Sequence, residues 1–408
     1  MDSSAGDKKD MIKIEDQQET GGWALLHLGF RPFFLGAATY SVIATFIWLA
    51  AYTFGWDIRP YGLPGVTWHA HEMIYGYAIA VIAGFLLTAI KNWTGIKTLH
   101  GRWLLLLFLL WALARALPFI GPPVNMVFIA VVDNLFIVAL ILAAALPVFK
   151  ARQWKQLGIL SKLLLFLCAN VLFYLGVLGI VEQGITWGLY SGLYLVLALI
   201  FTLGRRVIPL FIEKGVGYPV QLKNWLWLDI SSLVLFLLFC IADLLVANQV
   251  VVTVLAGFLL LLHIARMVGW YTHGIWRNPL LWVLYLAYGS MVAGFFLKLS
   301  VFVFGISPYL AVHAFAFGGI GMMTVGMMSR VALGHTARSV TEPPQTLFWI
   351  FLILFIGAAV RVLLPLIDSS HHSVWIGLSQ VLWIASFSLF LYVYTPMLLR
   401  PRVDGRYG

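Results

Sequence analysis

Long apolar runs separated by short polar segments make up almost the whole chain. Polar residues recur about every 25–30 positions, and an α-helix needs about 20 apolar residues to cross the hydrocarbon core of a bilayer. These lengths fit helices and do not fit the alternating strands of a membrane β-barrel. The pattern predicts twelve transmembrane helices, at residues 33–54, 68–90, 103–119, 124–148, 160–181, 187–210, 225–246, 250–270, 280–304, 309–333, 346–366 and 374–398.

The composition supports the same class of protein. Hydrophobic residues make up 62% of the 408 residues and charged residues 10%, whereas an ordinary soluble domain has about 45–50% and about 25%. So few charges cannot cover the surface of a soluble protein of this size. We therefore expect an all-α, polytopic transmembrane helical bundle that is surrounded by the lipid bilayer.

The first twenty residues depart from this pattern. The segment MDSSAGDKKDMIKIEDQQET is polar and mixed in charge, and it lacks the apolar core and the cleavage site of a signal peptide. We predict a retained, disordered cytoplasmic tail at residues 1–20. Residues 21–408 are predicted to form a single twelve-helix transmembrane domain.

The basic residues indicate the orientation in the membrane. Lysine and arginine accumulate on the cytoplasmic side of membrane proteins. If the N-terminus is inside and the spans alternate, 22 of the 26 basic residues fall on the inner side, and the exceptions are Arg59, Arg115, Lys298 and Arg361. Both termini are therefore predicted to be cytoplasmic. This topology explains the net charge of +10, so nucleic-acid binding is not needed to explain it.

Two histidines and a glutamate open the second span, at its outer end. His69 and His71 are two residues apart, so on a regular helix their side chains are separated by about 200° and point to opposite sides. The pair favours two neighbouring metal sites rather than one shared ion. Glu72 is three residues after His69, on the same face, where it can orient an imidazole or carry a proton. The alternative is that these histidines cap the helix among the lipid headgroups.

The tenth span adds a third histidine, His313, at about the same depth. Glycines fill its middle, and small residues permit close approach of another helix or of a flat macrocycle. Thioethers suit Cu(I) or an axial position on haem, but methionine in a helix core more often only fills space. We therefore predict His69, His71 and His313 as metal ligands and leave the methionines unassigned. These small and sulfur-containing residues are Gly318, Gly319, Gly321, Gly326, Met322, Met323, Met327 and Met328.

A second group of histidines and arginines lies at the inner side. His27, His263 and His335 are predicted either to hold a second cofactor or to be satisfied polar residues. Arg31 and Arg330 can pair with haem propionates, since the guanidinium fork suits carboxylates. The alternative is that these arginines are topology anchors whose charged ends reach the interface. Other basic residues at this side are Arg205, Arg206 and Arg266.

Several signatures are absent from the sequence. There is no C-x-x-C-H stretch, which excludes covalent c-type haem attachment, and the two cysteines, Cys168 and Cys240, are expected to be small core residues. There is no Walker A motif and no G-x-G-x-x-G, so ATP-driven and nicotinamide chemistry are not indicated. H-E-x-x-H is also absent, which removes the usual zinc-protease interpretation.

Three segments in combination carry a family resemblance. LGFRPFFLGAA at 28–38, WHAHEM…AGFLLTAIKNWTG at 68–95 and RVALGHTARS at 330–339 resemble the NnrS family, and the resemblance extends over the whole chain by length, helix number and motif order. One position departs from the family pattern. Ala337 stands where the family usually has glycine, and its methyl group disfavours a left-handed turn.

The resemblance implies a protein of the bacterial cytoplasmic membrane that contains haem b and copper. It further implies a link to denitrification, with nitric oxide as ligand, resistance to nitrosative stress, and an unidentified electron donor. It leaves open whether the protein is an enzyme. Two alternatives are a transporter of copper, haem or another substrate, and a haem-based sensor that binds nitric oxide without turnover.

Overall fold

The twelve predicted spans are present. The computed structural model describes residues 24–121, 125–246 and 248–408, and within these ranges all regular elements are helical. Twelve of the described helices are long and apolar enough to cross a membrane. In chain order they are α1 Phe30–Thr53, α2 Gly65–Thr94, α3 Gly101–Phe119, α4 Met126–Lys150, α5 Trp154–Val177, α6 Gly184–Gly215, α7 Leu226–Val246, α8 Gln249–Trp270, α9 Pro279–Phe304, α10 Pro308–His335, α11 Thr346–Ile367 and α12 His372–Leu399.

The helix boundaries differ from the predicted ones where polar residues continue a helix beyond the apolar run. α6 was expected at 187–210 but extends to Gly215, because its last turns carry charged residues that suit the water interface. The tail predicted at 1–20, and residue 124 at the start of the predicted fourth span, lie outside the described residues. Cys168, expected in the core, lies on the exposed surface of the bundle. Leu164 and Leu165, about one turn earlier in the apolar run of α5, are exposed as well, since lipid accepts them.

The bundle is built from contacts between consecutive helices, and α1 packs along α12 as well as along α2. The first and last helices thus close the bundle. α2 and α10 are the most buried, with 78% of an apolar 18-residue stretch inside the bundle, whereas α7 and α8 have only 28%. The helices that carry His69, His71 and His313 therefore lie at the centre.

The two central helices share an irregularity beside their histidines. A π-helical segment, Glu72–Ala78, follows His71 directly in α2, and another, Ala314–Gly321, follows His313 in α10. A π-turn widens the helix locally, and such turns are frequent at functional sites.

Both ends of the described chain lie on one face of the bundle. The Ala24 amide donates to the Leu399 carbonyl at 2.9 Å, and the Arg31 guanidinium donates to the carbonyls of Leu398 and Arg400, each at 2.8 Å. The even number of spans agrees with this arrangement. Assignment of this face to the cytoplasm stays a prediction from the basic residues.

Candidate functional site

A cavity of about 340 Å³ lies between α1, α2, α6, α10, α11 and α12. We call it the outer cavity, because the predicted orientation places it in the outer half of the bundle. This outer cavity is lined mainly by apolar and aromatic side chains, with a few polar groups among them. It brings His69 and His313 together, as expected from their similar depth. The side chains with donor or ligand atoms include His69, Met73, Tyr77, Tyr190, Tyr309, His313, Arg361 and Gln380, beside the indole of Trp48.

Hydrogen bonds fix the tautomer of His313. Its Nδ1 lies 2.7 Å from the Tyr309 carbonyl oxygen, so Nδ1 carries the proton and donates. Nε2 then keeps its lone pair and accepts from Arg361 Nη2 at 2.8 Å. A histidine that binds a metal almost always donates its other ring N–H in this way, which raises the basicity of the ligating nitrogen.

His69 is held by stacking. Its ring lies 5.1 Å from the Trp48 ring at an interplanar angle of 9°. Its Nδ1 is buried and has no hydrogen-bond partner within the described part of the chain. Met73, one helical turn further along α2, lines the same cavity. Two imidazoles and a thioether form a donor set that suits copper.

His71 points away from the cavity, as the spacing of the two histidines predicted. Its Nδ1 lies 2.9 Å from Glu72 Oε1 and its Nε2 lies 3.0 Å from Asn170 Oδ1, while its ring stacks on Phe173 at 4.3 Å. Glu72 was expected to orient an imidazole from the face that it shares with His69, and the imidazole to which it bonds is that of His71. Both ring nitrogens of His71 therefore have protein partners.

The reason Glu72 turns this way is a buried network around Arg115. Arg115 Nη1 donates to Glu72 Oε2 at 2.7 Å, and Nη2 donates to Asp133. Tyr40 donates to Glu72 Oε2 at 2.5 Å. A buried carboxylate is stable only when paired and hydrogen-bonded, so the partners on α1, α3 and α4 determine its direction.

His263 occupies an aromatic enclosure on the inner side. It is fully buried, its ring lies 4.5 Å from Phe201 and 5.4 Å from Phe295, and its Nδ1 lies 2.5 Å from the Tyr288 hydroxyl. Its Nε2 has no partner among the described residues. The neighbouring Arg266 pairs with Asp229 at 2.8 Å, so this arginine does not reach the interface.

His27 and His335 both lie beside the C-terminal segment of the chain. His27 stacks on Tyr407 with the ring centres 4.5 Å apart, and burial, followed by the Arg31 charge, lowers the pKa of His27. His335 lies 5.6 Å from the Phe30 ring. The described residues contain no group of three or more His, Cys, Asp or Glu side chains that could hold a metal ion.

The two arginines proposed for propionates differ in what they already bind. Both terminal nitrogens of Arg31 donate to backbone carbonyls, those of Met397, Leu398, Arg400 and Gly408. Arg330 lies over the Phe211 ring at 3.8 Å, and its Nη1 is buried without a partner among the described residues. Arg330 therefore retains a free donor, whereas the fork of Arg31 is occupied.

The glycines of α10 serve helix packing. A Cβ on Gly318 would meet Ser290 at 2.7 Å, and one on Gly321 would meet Trp383 at 2.6 Å. Met323 and Met327 line a second, almost wholly apolar cavity of about 90 Å³. At Gly318 and Gly321 the small residues thus admit neighbouring side chains.

Comparison with models of known protein families shows to which family the chain belongs. It matches the family model described as NnrS protein over residues 24–402. The chain belongs to the NnrS family. The match contains every residue that lines the outer cavity of this NnrS chain. A search of curated proteins finds no match.

Some residues of the outer cavity escaped sequence reasoning. Met73, Trp48 and Gln380 sit in ordinary apolar runs, and nothing in their spacing marks them. Arg361 did carry a signal, since it is one of the four basic residues placed in the outer half or outside. An arginine inside a span needs a partner or a function, and the structure places it against His313.

Proposed function

We propose that this chain binds haem b and copper in the bacterial cytoplasmic membrane and handles nitric oxide there. Membership of the NnrS family supports a role in the response to nitric oxide. The observation that carries the proposal is the convergence of His69 and His313 on one cavity, each with a nitrogen that makes no bond to a carboxylate or carbonyl.

The outer cavity fits a copper ion in its donor chemistry. Imidazole and thioether groups are the ligands that Cu(I) prefers. His69 and Met73 supply them, and His313 does so once its Nε2 releases Arg361. The unpartnered Nδ1 of His69 is a buried polar atom that a metal would satisfy. His71 can join such a site only by giving up its bond to Glu72 or to Asn170.

The chain also contains side chains that suit haem. A histidine is a common axial ligand of haem iron, and His69, His313 and His263 each offer an imidazole within an apolar or aromatic surrounding. His27 and His335 are weaker candidates. Arg330 can hold a propionate through its free Nη1, whereas Arg31 would first have to release its carbonyls.

The contribution of the protein is to position the cofactor and exclude water. When bound, haem iron or Cu(I) supplies an open position at which nitric oxide coordinates. The Tyr309 carbonyl holds the His313 ring and Trp48 holds the His69 ring. The mainly apolar walls suit a small uncharged molecule such as nitric oxide.

Histidine replacement tests the proposal. We expect His69→Ala and His313→Ala to lose the same cofactor, measured as copper by metal analysis and haem by absorbance per mole of purified protein. His371→Ala is the matched control, because His371 is an exposed histidine at the outer end that pairs with Asp368 at 2.7 Å. If both cavity variants keep the metal and haem content of the unchanged protein, the assignment of the outer cavity is wrong.

A further inference from the structure

Arg361 brings an uncompensated charge into the outer cavity. Four other cations within the spans have carboxylate partners: Arg115, Arg205, Arg266 and Lys298. Arg361 forms no ion pair with a described residue, and its one bond to a side chain runs to the neutral nitrogen of His313. An arginine inside a span is costly unless something compensates its charge.

The walls of the cavity contain further donors without acceptors. Gln380 is only 5% exposed, yet its Nε2 has no hydrogen-bond partner among the described residues. Its Oε1 accepts from the Thr53 hydroxyl at 3.5 Å, which leaves the amide nitrogen as the free end. The indole Nε1 of Trp48 is likewise buried and unpartnered. A buried donor without an acceptor is costly, so these two donors, beside a guanidinium that has no carboxylate partner, call for an acceptor.

The described lining of the cavity supplies no acceptor with a negative charge, since no aspartate or glutamate belongs to it. One guanidinium, one amide N–H group and one indole N–H therefore belong to the lining of the same cavity. Donors of this kind recognise an anion, and the planar fork of arginine matches two oxygens held on one atom.

We propose that the outer cavity binds a monoanion that presents two oxygens, held by Arg361 and Gln380. The ligand is a carboxylate or a small planar oxyanion. Its source is either the carboxylate of a bound organic cofactor or a free anion from solution. The inference rests on the proposed function in that it concerns the same cavity, but it needs no metal.

Anion titration of the purified full-length protein in detergent tests the inference. Calorimetry with sodium formate and sodium nitrite at constant ionic strength is performed on the protein as purified and after supplementation with haem and copper. We expect Arg361→Gln to weaken binding by at least about tenfold, which corresponds to about 1.4 kcal/mol. Gln380→Leu should weaken it less. Arg59→Gln is the control, because Arg59 is an exposed outer arginine paired with Asp57.

The two sources give different results. Formate or nitrite binding that depends on Arg361 in both preparations supports a free anion. Binding that disappears on supplementation, together with lower haem retention in Arg361→Gln, supports a cofactor carboxylate. If neither binding nor haem retention depends on Arg361, the inference is wrong. Should Arg361→Gln fail to fold, Arg361→Lys and Gln380→Leu decide by the same criteria, because lysine keeps the charge and loses the fork.

Failure of this inference differs from failure of the proposed function. A protein that binds the anion through Arg361 but takes up neither copper nor haem contradicts the proposed function alone. A protein that loses its metal in His69→Ala and His313→Ala, with no anion effect of Arg361, contradicts the anion site alone.

Discussion

Ala337 adopts a backbone conformation that alanine disfavours. Its φ is +60°, directly after α10, where the family pattern led us to expect glycine. The turn is held by a hydrogen bond from the Arg338 amide to the Leu333 carbonyl at 2.9 Å. The chain therefore adopts a left-handed turn with a strained alanine, at a position after a helix where glycine is the usual residue.

Replacement of Ala337 by glycine is expected to stabilise the protein. Glycine removes the strain of the left-handed φ, and this effect outweighs the larger conformational entropy that glycine gives the unfolded chain. The expected net increase in the free energy of unfolding is about 0.5–1 kcal/mol. Thermal unfolding in detergent measures it. Ala332→Gly is the control and should destabilise, because Ala332 is buried inside α10. An Ala337→Gly variant that unfolds at a lower temperature would show that the turn is not strained.

The direction of a side chain could be predicted where it depends on the geometry of one helix. It could not be predicted where it depends on contacts with several helices. The opposite directions of His69 and His71 follow from their spacing, and the structure confirms them. The partners of Glu72 could not be predicted, because Arg115 and Tyr40 reach it from other parts of the chain.

At the scale of helices, α5 and α6 approach so closely that their backbones touch. A Cβ on Gly188 would lie 2.7 Å from the Phe173 backbone nitrogen, and one on Gly184 would lie 2.5 Å from the Leu172 carbonyl oxygen. Glycine permits such close helix crossings in membranes. Since Phe173 stacks on His71, this crossing also supports the Arg115 network.

Gly188→Ala is therefore expected to destabilise the protein by about 1–3 kcal/mol, because a backbone cannot move aside as a side chain can. Thermal unfolding in detergent, followed by tryptophan fluorescence, provides the measurement. Gly158→Ala is the matched control, since Gly158 lies in α5 with open space around it and alanine favours a helix. Equal stability of the two variants would contradict the close crossing.

The existence of the helices was predictable from the lengths of the apolar runs, but their internal geometry was not. The π-helical segments after His71 and His313 contain the same apolar residues that a regular α-helix would accept. Their position depends on how α2 and α10 meet the helices around them, which a single sequence does not reveal. They widen the two central helices next to the candidate ligands.

For the whole molecule, the bias of basic residues predicts which face is cytoplasmic. Asp57 and Ser339 are exposed and lie between spans on opposite faces. In a background with Cys168→Ser and Cys240→Ser, we expect Asp57→Cys to react with a membrane-impermeant thiol reagent in intact spheroplasts. Ser339→Cys should react only after permeabilisation. The reverse pattern would invert the topology and place the outer cavity at the cytoplasmic side.

The central claim is that this NnrS-family chain holds redox-active cofactors that bind nitric oxide. The most direct measurement is the ultraviolet–visible spectrum of the purified full-length protein, oxidised, reduced and after addition of nitric oxide, with copper and iron analysis of the same sample. We predict a Soret band that shifts when nitric oxide is added, together with bound copper. A protein that stays colourless and free of metal after supplementation with haem and copper would contradict the claim and favour transport.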